Sequence, residues 1–420
     1  MKSFLRLSCL VCGAVAGTPA GGQTVEPTEY DQYALELVNR ARANPPAEVT
    51  RTAADAASRP GIFGSLYVPY RGTPGLNEGP PRLSGQTYTI PAAAKQPLAF
   101  NPQLMAVARS YAAVCQANNN ISHSYNDGGT TPEARMRSRG YVPAFPMADA
   151  LQLPNGSYTA PGSEMLSYMA QSSSWTSTPQ GADLRMQAVK VAQHGLFVDT
   201  AAEGRGHRMT MMAGSFREAG IAFDFGTDPG GFYSSYAAYT VSFRQGSGPF
   251  ITGVAYRDIV ADGFYTPGKG EALGQVDVTV RRASGETVAT VKTSASGGYA
   301  APVPANGTYT VVFSGQGIAK TAPNITVADL NRKVDCIVGA SEPPVTPAFV
   351  ISDVSLSGSS VILKWNSETG ATYRVSTWVS AASGWTAVAG SQQAGNGGTL
   401  SFTHQNALTA PFRLYRVEKL

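Results

Sequence analysis

Apolar positions recur at helical spacing near the start of the chain, where Tyr30, Tyr33, Ala34, Leu37, Val38 and Ala41 fall on one side of a helix. Thr28, with Asp31 three residues on, is placed to cap it, and the pair Pro45 and Pro46 predicts its end. Residues 52–97 are rich in Gly, Pro, Ser and Thr and predict a long irregular loop. Asn101 followed by Pro102 predicts a second helix start, and Leu104, Val107, Ala108, Tyr111 and Cys115 give that helix an apolar face. A short helix is predicted from Thr131 and Pro132 to Gly140, another long loop over 142–180, and a helix over 182–198 with Leu184, Ala188, Val191 and Leu196 along one side. The period then changes to two. Ala219, Ile221, Phe223 and Phe225 alternate with other residues, the chain turns through 226–231, and Ala237, Tyr239, Val241 and Phe243 alternate back. Helices and strands in this order predict an α+β domain over 28–246.

Beyond it the pattern is strand only. Val276, Val278 and Val280 alternate, as do residues 308–313, which predicts a small β-sandwich over 249–340. Residues 341–347 hold three prolines and read as a stiff linker. Alternation returns over 348–420, at Val361, Leu363 and Trp365, then Tyr373 and Val375, then Leu414 and Arg416.

Charge and composition narrow the function classes. The chain has 420 residues, only 14% of them charged, and a formal net charge of +4. That excludes a charge-rich disordered chain and leaves no electrostatic footprint for a nucleic-acid partner. Lys2 and Arg6 precede and enter an apolar stretch over 5–16, and Ala14, Val15, Ala16 has the small-x-small form of a cleavage site. Residues 1–20 therefore read as a secretory signal peptide, and the protein is expected to be secreted or held on the cell surface. No other stretch approaches the roughly 18 apolar residues that would make a transmembrane anchor. Removing the leader takes Cys9 and Cys12 with it, and the remaining pair, Cys115 and Cys336, reads as two buried thiols rather than a disulfide framework.

Three of the four histidines, His123, His194 and His207, fall in the first region, beside small or turn-forming residues. Glu164 lies between them in a polar loop. Two histidines and a carboxylate converging from separate loops are a plausible open site for zinc, with His123 and His207 as ligands. The chain has no Gly-x-Ser-x-Gly elbow and no His-Glu-x-x-His helix.

The order of short segments adds more than their spacing. "ALELVNRARANP" (34–45) leads to "PLAFNPQLMAVARSYA" (97–112), then "ISHS" (121–124), "TPEARMRSRGY" (131–141), "GSEML" (162–166) and "GHRMTMMAGSFREAGIAF" (206–223). The succession resembles the bacterial branch of the CAP superfamily (cysteine-rich secretory proteins, antigen 5 and pathogenesis-related-1 proteins), and covers about half the chain. The resemblance implies a three-layer α-β-α sandwich with a cleft of two histidines and two acidic residues. His123, Glu164 and His207 match the motif positions, with Met165 where the family has an asparagine. The fourth position falls on Asp199 or Glu203, with Asp199 preferred because it ends the helix expected to line the cleft; His194 is the alternative cleft histidine. Residues 249–340 resemble the prealbumin-like sandwiches of Cna-B and carboxypeptidase-regulatory-like domains, in which the first turn can hold calcium; Asp258, Asp262 and Glu271 are the oxygens offered here. Residues 348–420 resemble fibronectin-type-III-like modules. Together these imply an extracellular protein whose cleft binds a metal ion, a lipid or a peptide-like ligand. The alternatives are a metal-dependent hydrolase using the same cleft, and an adhesive protein acting through its sandwiches on a cell-surface component.

Overall fold

The computed structural model describes residues 25–58, 92–144, 162–171, 174, 183–199, 206–244, 246–340, 351–367, 369–378, 385–407 and 414–420. The chain divides into two compact units, Gln23–Pro343 and a second containing Pro344–Leu420. The predicted signal peptide and linker lie outside the described residues.

The first unit opens with α1 (Glu29–Ala43). Thr28 caps it reciprocally: its Oγ1 accepts the Asp31 N–H, and the Asp31 carboxylate accepts the Thr28 N–H at 2.8 Å. The helix stops at Asn44, as the prolines predict, but the chain does not then become a loop. Pro45 opens α2 (Pro45–Ser58), because a proline that ends one helix suits the first turn of the next. β1 (Ala99–Phe100) leads to α3 (Pro102–Ala117), capped by Asn101. α4 (Pro132–Ser138) follows, then β2 (Gly162–Gln171), a ten-residue strand within the stretch predicted as loop. α5 (Leu184–Val198), α6 (Gly206–Met211), β3 (Glu218–Thr227) and β4 (Tyr233–Ser242) complete the domain.

The strands form one sheet in the order β1-β3-β4-β2, with β1 parallel to β3 and the other pairs antiparallel. Both faces are covered. Ile221, Phe223, Tyr239 and Val241 pack with α1 and α5, through Leu37, Val38 and Phe197. Ala222, Tyr236, Ala238 and Leu166 pack with Tyr111 and Cys115 of α3. Helix, sheet and helix layers result, an α+β sandwich. The contact of α3 with β3 is close enough that Gly220 is required there, since a Cβ would lie 2.0 Å from the Leu104 carbonyl oxygen.

The second half of this unit is all β: β5 (Phe250–Asp258), β6 (Asp277–Arg282), β7 (Thr287–Lys292), β8 (Gly298–Pro302), β9 (Asn306–Gly315), β10 (Ile318–Ala328), β11 (Arg332–Lys333) and β12 (Cys336–Gly339). Two sheets, β10-β9-β6-β7 and β11-β5-β12 with β8 beside β5, enclose Val276, Val278, Val280, Val311 and Phe313. β5 is shared between two cores. Its Ile251 and Ala255 enter the sandwich, while Val254 and Tyr256 join the core around α1. Cys115 and Cys336 are both buried and are not joined in a disulfide.

The second unit carries β13 (Ile351–Ser357), β14 (Ser360–Asn366), β15 (Thr372–Trp378), β16 (Trp385–Ala387), β17 (Gln393–Ala394), β18 (Thr399–His404) and β19 (Leu414–Lys419). They form the sheets β13-β14-β18 and β16-β15-β17, with β19 beside β15. Trp365 is fully buried with Leu363, Tyr373 and Val375, as the alternation predicts. His404 bonds through Nδ1 to the Tyr415 hydroxyl at 2.8 Å.

Candidate functional site

Two histidine–carboxylate pairs form in this domain, His123 with Glu164 and His207 with Asp199. Glu164 lies near the start of β2, two residues before Leu166, so both point to the α3 side of the sheet. Its carboxylate is buried and serves two donors. Arg135 of α4 reaches it through Nη2, 2.8 Å from each oxygen, and His123 Nδ1 lies 3.0 Å from Oε1. The Arg135 guanidinium is fully buried and lies 3.6 Å above the Tyr111 ring. It also donates to the carbonyl oxygen of His123 at 3.2 Å. The Tyr111 hydroxyl pins the same loop, donating to the Ser122 carbonyl at 2.6 Å and accepting the Tyr125 N–H. The loop that carries His123 is thus held by α3 and α4, while the imidazole, 53% exposed, faces outward.

The second pair forms where α5 gives way to α6. Asp199 ends α5 in the left-handed region, at φ 51° and ψ 40°. Its carboxylate accepts the His207 backbone N–H at 2.8 Å, and its other oxygen lies 2.8 Å from His207 Nδ1. One carboxylate therefore both caps α6 and orients the ring. Next to it, the buried Arg208 donates to the carbonyl oxygens of Phe197 and Val198, satisfying the C-terminal end of α5. α6 lies along the start of β2: Thr210 Oγ1 is 3.4 Å from Ser163 Oγ, and Ser163 precedes Glu164.

A carboxylate oxygen accepts hydrogen bonds, so in each pair Nδ1 is the donor and Nε2 is the ring nitrogen left outside the pair. That nitrogen is the one each ring presents to a ligand. Glu164 has little left to offer, because both its oxygens already accept from Arg135.

The other candidate residues sit elsewhere. His194 is buried in α5 and lines a different cleft, and Glu203 lies outside the described residues. Asp258 ends β5, Asp262 and Glu271 lie in the loop between β5 and β6, and each accepts backbone N–H groups. Asp258 holds Asp262 and Gly263, Asp262 holds Phe264, and the fully buried Glu271 holds Val260 and Thr266. Among the described residues no group of three or more His, Cys, Asp or Glu is arranged to hold a metal ion. Sequence reasoning passed over Arg135. Its signal was present, in a basic residue on the apolar side of a short helix beside Met136, but an arginine at such a position is usually a surface residue.

Residues 35–241 match the cysteine-rich secretory protein (CAP) family, and residues 264–335 match the carboxypeptidase regulatory-like domain. The chain therefore carries a CAP domain followed by a carboxypeptidase regulatory-like domain. No curated protein matches it. Among solved structures it is similar to a putative carbohydrate binding protein from Bacteroides uniformis, at 14% identity over 42% of this chain and all of that one, with a TM-score of 0.20. It is also similar to a type II cohesin–X–dockerin complex from Acetivibrio cellulolyticus, at 20% identity over 23% of this chain and 55% of that one, with a TM-score of 0.16. The Bacillus anthracis TIE protein matches at 13% identity over 48% of this chain and 42% of its own, with a TM-score of 0.17. Among the described residues no helix is long and apolar enough to cross a membrane.

Proposed function

We propose that the chain is an exported binding protein whose CAP cleft offers His123 and His207 to a ligand outside the cell and does not turn it over. The observation that carries this reading is the pairing of each ring, through Nδ1, with its own carboxylate, at 3.0 Å for Glu164 and 2.8 Å for Asp199. Such pairing fixes the orientation of the ring and leaves Nε2 for a metal or hydrogen-bonding ligand. Glu164, the carboxylate nearest His123, is not available as the base for a water, because Arg135 holds both its oxygens. Export rests on the leader-like residues 1–20.

The donor chemistry suits zinc to a limited degree. His123 and His207 would hold the ion, Glu164 and Asp199 would orient the rings, and water or the ligand's own donors would complete the shell; bound there, zinc would supply Lewis acidity. Two protein ligands give weaker binding than the closed four-ligand sites that fold small domains. Equilibrium dialysis of the full chain tests the reading. One zinc per chain is expected, with a Kd of roughly 1–100 μM, and His123→Ala or His207→Ala should weaken it at least tenfold. Zinc uptake unchanged in the double variant, or hydrolysis of a peptide library by the wild type that the double variant loses, would sink the binding reading.

A further inference from the structure

The second unit carries two tryptophans that its core does not use. Tyr373 and Val375 of β15 enter the core, so Arg374, Ser376 and Trp378, at the alternate positions, face the other way. Pairing extends that outer face onto both neighbouring strands. Trp378 lies directly opposite Trp385 of β16, and Ser376 and Arg374 lie opposite Arg416 and Glu418 of β19. Two indoles therefore stand side by side on one face, next to two arginines and a carboxylate. Trp385 is 41% exposed, whereas Trp365 of β14 is fully buried. An indole held on a strand with part of its ring in water is a preformed apolar anchor.

The polar residues of this face are tied into a row. Glu418 Oε2 accepts from Arg374 Nη2 at 2.9 Å and from Ser376 Oγ at 2.7 Å, while Oε1 takes Arg416. The Arg416 guanidinium also lies over one side of the Trp385 ring, 4.6 Å from its centroid. Arg416 and Arg374 remain 44% and 39% exposed, so donors beyond those bound to Glu418 point to solvent. Two arginines against one carboxylate leave a single positive charge, too little for a run of nucleic-acid phosphates. Two indoles fall far short of the roughly 800 Å² that a stable protein partner covers on each side. The occupant that fits lays a flat C–H side on the indoles and offers hydroxyls to the row beside them. A pyranose does both, because each hydroxyl can donate to the carboxylate or accept from an arginine.

We propose that this face binds a neutral β-1,4-linked polysaccharide, whose sugar rings stack on Trp385 and Trp378 and whose hydroxyls pair with Arg374, Arg416 and Glu418. The β-1,4 linkage keeps the chain extended and the hydroxyls in the plane of each ring, which leaves the C–H sides flat for the indoles. The site lies in the second unit and does not depend on what the His123–His207 site binds.

Titration of the full chain with cellohexaose and chitohexaose, followed by calorimetry and by tryptophan emission, tests the assignment. Maltohexaose, whose α-links curl the chain, and a decaproline peptide are the comparisons. At least one of the two β-1,4 hexamers is expected to bind with a Kd of about 0.01–1 mM, to shift the tryptophan emission, and to bind at least tenfold better than maltohexaose or decaproline. Its affinity should change little between about 50 and 300 mM salt, because the ligand is uncharged. Trp385→Ala should weaken binding at least tenfold and Trp385→Phe less, since a smaller ring keeps part of the stacking surface. His123→Ala should leave binding unchanged. The proposal is overturned if neither hexamer binds at about 10 mM, if maltohexaose or decaproline binds as tightly, if Trp385→Ala and Trp378→Ala with wild-type melting temperatures bind as the wild type does, or if His123→Ala abolishes binding.

Discussion

Arg135 holds the His123 side of the CAP site together. It clamps the buried Glu164 carboxylate, holds the His123 carbonyl and stacks on Tyr111, all without exposure to solvent. Removing one partner of a buried pair leaves the other charge uncompensated, which costs about 3 kcal/mol or more. Arg135→Met is therefore expected to lower the melting temperature by roughly 6–12 °C, and Arg135→Lys should recover only part, because an ammonium has no second nitrogen for the His123 carbonyl and cannot stack on Tyr111 as a planar group does. The double variant Arg135→Met with Glu164→Gln should be more stable than Arg135→Met alone; thermal denaturation of the three checks this. The two histidines and Glu164 were legible as residues, because their motifs carry them. Arg135 was not, since nothing in a helical sequence pattern tells a buried arginine from a solvated one until its carboxylate partner, 29 positions away, is brought against it.

At the scale of elements, the misses have a common cause. α2 is hidden in the sequence because Pro45 and Pro46 do end one helix, and proline at a helix's first turn looks identical to proline after its last. β2 was hidden because GSEMLSYMAQ carries no β-branched residue and has adjacent apolar residues, Met165 and Leu166, that pack on opposite faces of a covered sheet. Strands covered on one face only, such as β14 with Val361, Leu363 and Trp365, kept their alternation and were legible. The join between α1 and the β-sandwich is a further contact that no local pattern announces. Lys333 of β11 reaches the buried Glu36 of α1 at 2.7 Å and also pairs with Asp335. Burial pulls the Lys333 ammonium down, but the two carboxylates outweigh it and hold its pKa above the usual 10.5. A raised pKa in the folded state means that the stabilisation is fully present below 10.5 and lost as pH rises through the folded value. Lys333→Met should therefore cost about 3 kcal/mol near neutral pH. The gap from wild type should narrow only above pH 10.5, where the wild type begins to lose the same charge. Urea unfolding at a series of pH values checks both the size and the direction.

For the whole molecule, the change from a mixed to a strand-only pattern predicts a domain boundary between residues 246 and 249. The packing of β5 argues for a different cut. Val254 and Tyr256 of β5, with Tyr265 from the loop after it, belong to the same core as Tyr33, Leu37 and Val38 of α1. Around that core, Asn331 donates to the carbonyl oxygens of Pro97 and Arg217, and Gly298 lies so close to Gln32 that a Cβ would meet its Oε1 at 1.9 Å. A chain ending at 248 would lose three large apolar side chains from the core of the CAP domain, a loss of roughly 5–9 kcal/mol at about 1.5–3 kcal/mol for each. Ending the chain at 343 instead keeps that core and coincides with the division between the compact units. Residues 25–343 should then melt cooperatively, at a temperature close to that of the same unit in the full chain. Residues 25–248 should precipitate, or bind a hydrophobic dye and melt at least 10 °C lower, by the scaling of melting temperature with stability. Calorimetry of the two truncations decides between them. If 25–248 melts as high as 25–343, the second domain is an appendage.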